Sequence, residues 1–255
     1  MAFRRLARVV ACACVALAAV TLSAKAGPRA VIELFTSQGC SSCPSADRVI
    51  GELANDPSVI ALSLAVDYWD YLGWKDTLAL SGHGKRQRAY SKARGDREVY
   101  TPQVVVNGLV HVLGSDKAAI EGAIATTRAE ASPLSVPTTL SFSDDKITVN
   151  VAAANDANKK NIQGDVWLCP ISRNVPVVIE RGENRGKTLT YHNVVRRWIK
   201  LGEWAGKAAT WIVPKSEMTA KDGSSDGIDQ VAVIVQDAVS NYPGAILGAA
   251  TTGLQ

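Results

Sequence analysis

"GCSSCPSADRVIGELAND", residues 39–56, puts two cysteines, Cys40 and Cys43, three positions apart at the start of a helical pattern. Ala46, Val49, Ile50 and Leu53 recur at the spacing of one helix face. Upstream, "AVIELFT" (30–36) is a short apolar run that reads as a buried strand, and "VIALSLAV" (59–66) reads as a second. The chain therefore opens strand, CxxC, helix, strand, and a right-handed crossover makes the two strands parallel. Cysteines at this spacing can exchange electrons, hold a metal or staple a turn.

The helix start gives the first of these a physical basis. The first turn of a helix has unpaired N–H groups and a partial positive charge, and both stabilise a thiolate. Cys40, at the helix mouth, is expected to be the exposed attacking sulfur. Cys43, one turn in on the same side, is expected to resolve the mixed disulfide. Ser41 and Ser42 bring no charge, so oxidase, reductase and isomerase roles all stay open. A zinc or copper site would need about two further ligands. The remaining candidates are His83, His111, His192 and Cys169, and they are scattered along the chain. Electron exchange therefore ranks ahead of metal binding, with a passive staple as a third reading.

About 60 residues on, "VYTPQVVVNGLVHVLG" (99–114) reads as a hairpin turning at Asn107-Gly108. Thr101-Pro102 stands at its entry, where a cis X-Pro bond would mark a tight geometry. Thr101 could then offer backbone groups to an extended substrate lying across Cys40. Between these parts, "DYWDYLGWKDTLALSGHG" (67–84) opens with Tyr68, Trp69, Tyr71 and Trp74. These aromatics either anchor a flap on the core or form a substrate-contact surface at the carboxyl end of the sheet. "KRQRAYSKARG" (85–95) reads as a surface helix, and His83, between two glycines, as exposed loop. Ser115-Asp116 can cap a last helix that buries Ala119, Ile120, Ala123 and Ile124.

The character changes near "EASPLSVPTT" (130–139), where two prolines mark a boundary. Beyond it, short Val/Ile/Trp/Thr runs at 146–152, 164–171, 175–180, 193–201, 207–213, 230–237 and 245–249 alternate with Gly, Asn and Asp clusters. That pattern predicts a sandwich of roughly seven strands. The expected organisation is a leader at 1–26, an α/β domain at 27–132 and a β-sandwich-like domain at 137–255. "RGENRG" (181–186) reads as a hairpin loop of the second domain, or as a contact to the first with Arg181 and Arg185 as donors. Cys169, between Trp167-Leu168 and Pro170, reads as a buried core cysteine.

The leader has Arg4, Arg5 and Arg8, then an apolar run from Val9 to Leu22, then Ala24-Lys25-Ala26. This is the layout of a cleaved secretory signal, too short for a permanent span. Its four basic residues leave 24 basic against 24 acidic in the remaining 229. A neutral mature chain gives no footing for nucleic acid. Export would place Cys40, Cys43 and Cys169 in an oxidising compartment, periplasmic or extracellular.

The quoted stretches carry a resemblance. Cys40-Ser-Ser-Cys43-Pro44 followed by "YTPQVVVNG" looks like the thioredoxin-like superfamily, and its Thr-Pro part is similar to glutaredoxin. "VIELFTSQGCSSCPSAD", "LAVDYWDYLGWKD", "RQRAY", "GSDKAAI" and "RGENRG" with "NVVR" and "LGEW" together resemble the DUF1223 family of secreted bacterial proteins. The resemblance implies a thioredoxin-like fold, Cys40 and Cys43 as a redox pair and Pro102 as a cis-proline. Gly39 stands where thioredoxin has a Trp, so substrate preference does not carry over. The reading that results is a thiol–disulfide oxidoreductase without a cofactor. It would act on protein thiols and be regenerated by an upstream redox partner, with Thr101, Tyr68, Trp69 and Trp74 at the substrate. The alternatives are a binding or assembly module with a structural Cys40–Cys43 bridge, or a copper-handling protein.

Overall fold

The computed structural model describes residues 27–131, 133–155, 162–225, 227–239 and 242–254; the expected leader lies outside them. Strand β1 (Ala30–Thr36) is buried along its whole length. It pairs in parallel with β2 (Val59–Ala65), from Ala30↔Val59 to Thr36↔Ala65. On its other edge lies antiparallel β3 (Gln103–Val106), which turns back into β4 (Val110–Leu113). The turn places Asn107 and Gly108 at φ 52° and 74°, the left-handed pair that an Asn-Gly hairpin supplies at low cost.

The side-chain alternation of β1 sorts the two faces of the sheet. Ala30, Ile32 and Leu34 meet Ala46, Ile50 and Leu53 of helix α1 (Cys43–Leu53) and Ile120 and Ile124 of α3 (Lys117–Ala131). Val31 and Phe35 face the other way, into a cluster with Tyr90 of α2 (Ser81–Arg94). Fully burying each such aliphatic side chain contributes about 1.5–3 kcal/mol before chain entropy is counted. Helix α2 starts at Ser81, four residues before the helix read from sequence. His83, expected in an exposed loop, is buried there, and its Nδ1 donates to the Ala65 carbonyl at 2.9 Å.

The expected fold class, a thioredoxin-like α/β domain followed by an all-β sandwich-like domain, is not what forms. The described residues hold twelve strands and three α-helices, dominated by one large mixed sheet. After α3 come β5 (Thr138–Ser143), β6 (Lys146–Val151), β7 (Gly164–Val178), β8 (Thr188–Val195), β9 (Ile199–Trp204), β10 (Ala209–Pro214), β11 (Gln230–Val239) and β12 (Tyr242–Gly253). The large sheet runs β12-β11-β7-β8-β2-β1-β3-β4, with β9 also on β7. It therefore passes from one half of the chain to the other.

The seam is β8 beside β2, parallel at Ser63↔Val194. Two side chains reinforce it: Ser63 Oγ donates to the His192 carbonyl at 2.7 Å, and Asn193 Nδ2 donates to the Ala61 carbonyl at 2.9 Å. Gly51 lets α1 come close, because a Cβ there would stand 2.6 Å from the His192 ring. The sequence hides this seam for a physical reason. Strand edges pair through backbone, and backbone pairing leaves no side-chain signature. For the same reason β7 looks like two short runs. It is one strand that pairs β11 through Asp165–Ile171 and β8 through Ile171–Val178.

The separate sheet β10-β6-β5 packs Ile147 and Val149 against Val166, Leu168, Val231 and Val233 of β7 and β11. Among the described residues no helix is long and apolar enough to cross a membrane.

Candidate functional site

Cys40 and Cys43 are joined by a disulfide at the N-terminus of α1. Pro44 occupies the first turn, where its missing N–H costs nothing. The turn before the helix is tight: Cys40 N–H donates to Ser37 O and Cys43 N–H to Cys40 O, each at 3.2 Å. Ser41 and Ser42 are exposed, but the cysteines are not. Cys40 is 1% exposed and Cys43 0%, which corrects the expectation of an exposed attacking sulfur.

The turn is held from three directions. Beneath it, Gln38 N–H donates to Asp76 Oδ2 at 2.8 Å. Beside it, Gln38 Oε1 accepts from Trp74 Nε1 at 2.8 Å, and its amide nitrogen donates to Thr77 Oγ1 at 3.1 Å. From the second half of the chain, Asn184 Nδ2 donates to the Gln38 carbonyl at 2.9 Å and to the Cys40 carbonyl at 2.8 Å. Glu183 Oε2 accepts from Ser41 N–H at 3.2 Å. "RGENRG" thus does reach the cysteines, but through Glu183 and Asn184, not through the arginines named from sequence. Arg181 and Arg185 are exposed, whereas Asn184 is fully buried. One amide with two N–H groups suits two carbonyls placed two residues apart, a match that spacing alone does not reveal.

The Thr101–Pro102 peptide bond is cis. Pro102 is buried near α1, with Gly114 between them: Pro102 Cβ and Ala46 Cβ both lie 3.2 Å from where a side chain on Gly114 would begin. Trp69 links Thr101 to the cysteine turn. Its Nε1 donates to Thr101 Oγ1 at 2.8 Å, and its Cβ lies 3.0 Å from the point where a side chain on Gly39 would start. That contact explains the glycine before Cys40.

The aromatic segment divides in two. Tyr68 and Trp69 pack against the core, and Tyr68 OH donates to Gln87 Oε1 at 3.2 Å. Tyr71 stacks on Trp69 with centroids 6.3 Å apart and is 77% exposed. Trp74 is half-buried against the Gly182 end of the 181–186 loop.

Two buried carboxyls lie in this region. Asp47, one turn after Cys43 on α1, accepts from Thr36 Oγ1 at 2.8 Å, and its second oxygen has no partner among the described residues. Burial pushes its carboxyl up to about 7, against the pull of Thr36. Burial likewise pushes Asp76 up to about 6, against hydrogen bonds from the Gln38 and Leu78 N–H groups. Tyr191 OH, also without a partner among the described residues, is raised by burial and by these two acids. Burial thus holds both acids toward the protonated form, and Asp47 lies one helical turn from Cys43.

A family model described as "Protein of unknown function (DUF1223)" matches residues 31–236. The chain belongs to the DUF1223 family. It is similar to the crystal structure of protein AGR_C_4864 from Agrobacterium tumefaciens, at 33% identity and TM-score 0.78, covering 91% of this chain and 97% of that one. HBP35 of Porphyromonas gingivalis shares the fold at 14% identity and TM-score 0.64, over 89% of this chain and 76% of that one. No curated protein matches.

The other sites considered from sequence stand apart in this DUF1223 protein. Cys169 is a free, fully buried thiol of β7, and burial pushes its pKa far up. His111 approaches Asp96 at 3.3 Å on the β4 side, and His192 bonds Asn174 at 2.9 Å. Among the described residues, no three of His, Cys, Asp and Glu gather as metal ligands.

Proposed function

We propose that Cys40–Cys43 exchanges disulfides with protein thiols outside the cytoplasm. The observation that supports this is a disulfide at the N-terminus of α1, with the cis Thr101–Pro102 bond tied to the cysteine turn through Trp69. In this reading Cys40 attacks and Cys43 resolves. The helix terminus stabilises the Cys40 thiolate, and Thr101 offers backbone groups to a substrate strand. Tyr71 adds an exposed aromatic face beside Trp69. An upstream redox protein regenerates the pair, and the Arg-rich, apolar leader at 1–26 directs the chain to the periplasm or beyond.

A second reading has its own observation. Cys40 and Cys43 are both buried, as a passive bridge would be. Titration of the pair against glutathione redox buffers separates the two, with Cys40→Ser as control. The exchange reading expects a potential well above about −300 mV and turnover of a protein disulfide by the reduced form. A lower potential with no turnover leaves the pair a structural staple.

A further inference from the structure

We propose that the 181–186 hairpin tip is a cap over the cysteine turn, with Asn184 as its pin and so a positioning residue for disulfide exchange. The inference rests on the exchange reading above. Its starting point is a mismatch. The disulfide lies beside two exposed serines at a helix terminus, yet its own residues are sealed. The element bonded to that turn from the far half is the tip of the β7–β8 connection, 144 residues away in sequence.

The tip is built as a separate unit. Its base is closed by Ile179 N–H to Lys187 O at 3.0 Å and Gly186 N–H to Ile179 O at 2.8 Å. Within it, Arg185 N–H donates to Gly182 O and Lys187 N–H to Asn184 O, each at 3.1 Å. Gly182 and Gly186 flank the tip at φ 76° and 81°, positions where a side chain would be strained. Lys187 Nζ donates to Asn184 Oδ1 at 2.9 Å, which sets the amide so that both its hydrogens face the Gln38 and Cys40 carbonyls. The cap is therefore held to the turn by neutral hydrogen bonds and one exposed carboxylate contact at Ser41, with Trp74 against its Gly182 end. Such bonds contribute little net free energy each, so the cap can lift without the sheet opening.

The chemistry behind the cap is ordinary exchange. A small thiolate attacks Cys40 Sγ, and the Cys40–Cys43 bond breaks. Cys43 leaves as a thiolate and takes a proton from solvent. A second thiolate then attacks the added sulfur and releases Cys40 as thiolate, and two small thiols leave as one disulfide.

The test measures the rate of reduction of Cys40–Cys43 by glutathione in the wild type, Asn184→Ala, Asn184→Ser and Ile147→Val. Ile147 lies in the distant β5-β6-β10 core and serves as a control for general destabilisation. The expected result is an acceleration of about tenfold in Asn184→Ala, a smaller one in Asn184→Ser, and none in Ile147→Val. A gain under threefold in folded Asn184→Ala, or an equal gain in Ile147→Val, overturns the cap. If circular dichroism shows Asn184→Ala unfolded, Asn184→Ser is read by the same threshold. Turnover of a protein disulfide is followed in parallel. Faster reduction without turnover in any variant keeps the cap and removes the exchange reading. Turnover with unchanged reduction rates does the reverse.

Discussion

Among the polar contacts that join the halves of this protein, the cysteine turn and the Glu33–Arg86 group are made differently. At the cysteine turn, Asn184 offers an uncharged amide to two backbone carbonyls. On the opposite side of β1, Glu33 is fully buried and takes both Nε and Nη2 of Arg86, at 2.6 and 3.1 Å. Tyr90 OH donates to the same carboxylate. Gln236 of β11 completes the group, accepting from Arg86 at 2.8 Å and donating to Tyr90 at 2.7 Å. Arg86 also stacks over Trp198 at 4.3 Å. A desolvated, bidentate ion pair is costly to disturb by removing one partner. Two amide hydrogen bonds at a loop tip are not. The Glu33–Arg86 centre is a weld and the Asn184 contact a clasp.

The sharpest way to break this contrast is Glu33→Ala. It strands a buried guanidinium, and we expect a loss of about 3–5 kcal/mol in urea unfolding. A loss no larger than that of Asn184→Ala would erase the distinction. Asn184→Ala should cost about 1–3 kcal/mol, because two carbonyls lose their donor. That loss should leave the unfolding transition a single step.

The next effect is pH dependence on the clasp side. Folded Asp47 holds its proton up to about pH 7, whereas the unfolded chain releases it near 4. The folded state therefore binds more protons in that window, and stability falls as pH rises through it, by at most about 1.4 kcal/mol per unit. Asp76 acts in the same direction up to about 6. His83 is pushed down to about 4 by burial and acts oppositely between there and 6.5. Asp47→Asn keeps an acceptor for Thr36 and should flatten the decline between pH 6 and 7.5, where Asp47 dominates. An unchanged slope in thermal melts would remove Asp47 as its source.

The smallest effect expected is at Glu183. Its carboxylate sits at the mouth of α1, on Ser41 N–H. Glu183→Gln should speed iodoacetamide alkylation of the reduced protein at neutral pH by about twofold, because a charge opposing the thiolate is gone.

The parts of this molecule legible in sequence are those whose physics is local. Strand β1, the cysteine turn, α1 and β2 follow one another within 36 residues, and periodicity marks each. The Asn107-Gly108 hairpin carries its turn chemistry in two residues. What stayed hidden depends on partners far along the chain. The donor to the Cys40 carbonyl is Asn184, 144 residues away, and the β2–β8 seam is backbone pairing. His83, framed by Gly82 and Gly84, reads as loop because glycines weaken a helical pattern, yet all three lie in α2, where His83 and Gly84 are buried. In "RGENRG" the arginines stay exposed, and Glu183 and Asn184 between them make the contacts to the cysteine turn.

The β2–β8 seam has a consequence for any attempt to shorten the chain. A fragment ending at residue 131 would keep both helices that cover one face of β1, but would lose β8. Strand β2 would then lose its neighbour at Ser63 and present an edge flanked by six apolar side chains and one serine. Such a bare strand is a template for a second copy of itself. The shortened protein would trade an internal neighbour for a stranger, and its failure would show first as loss of solubility.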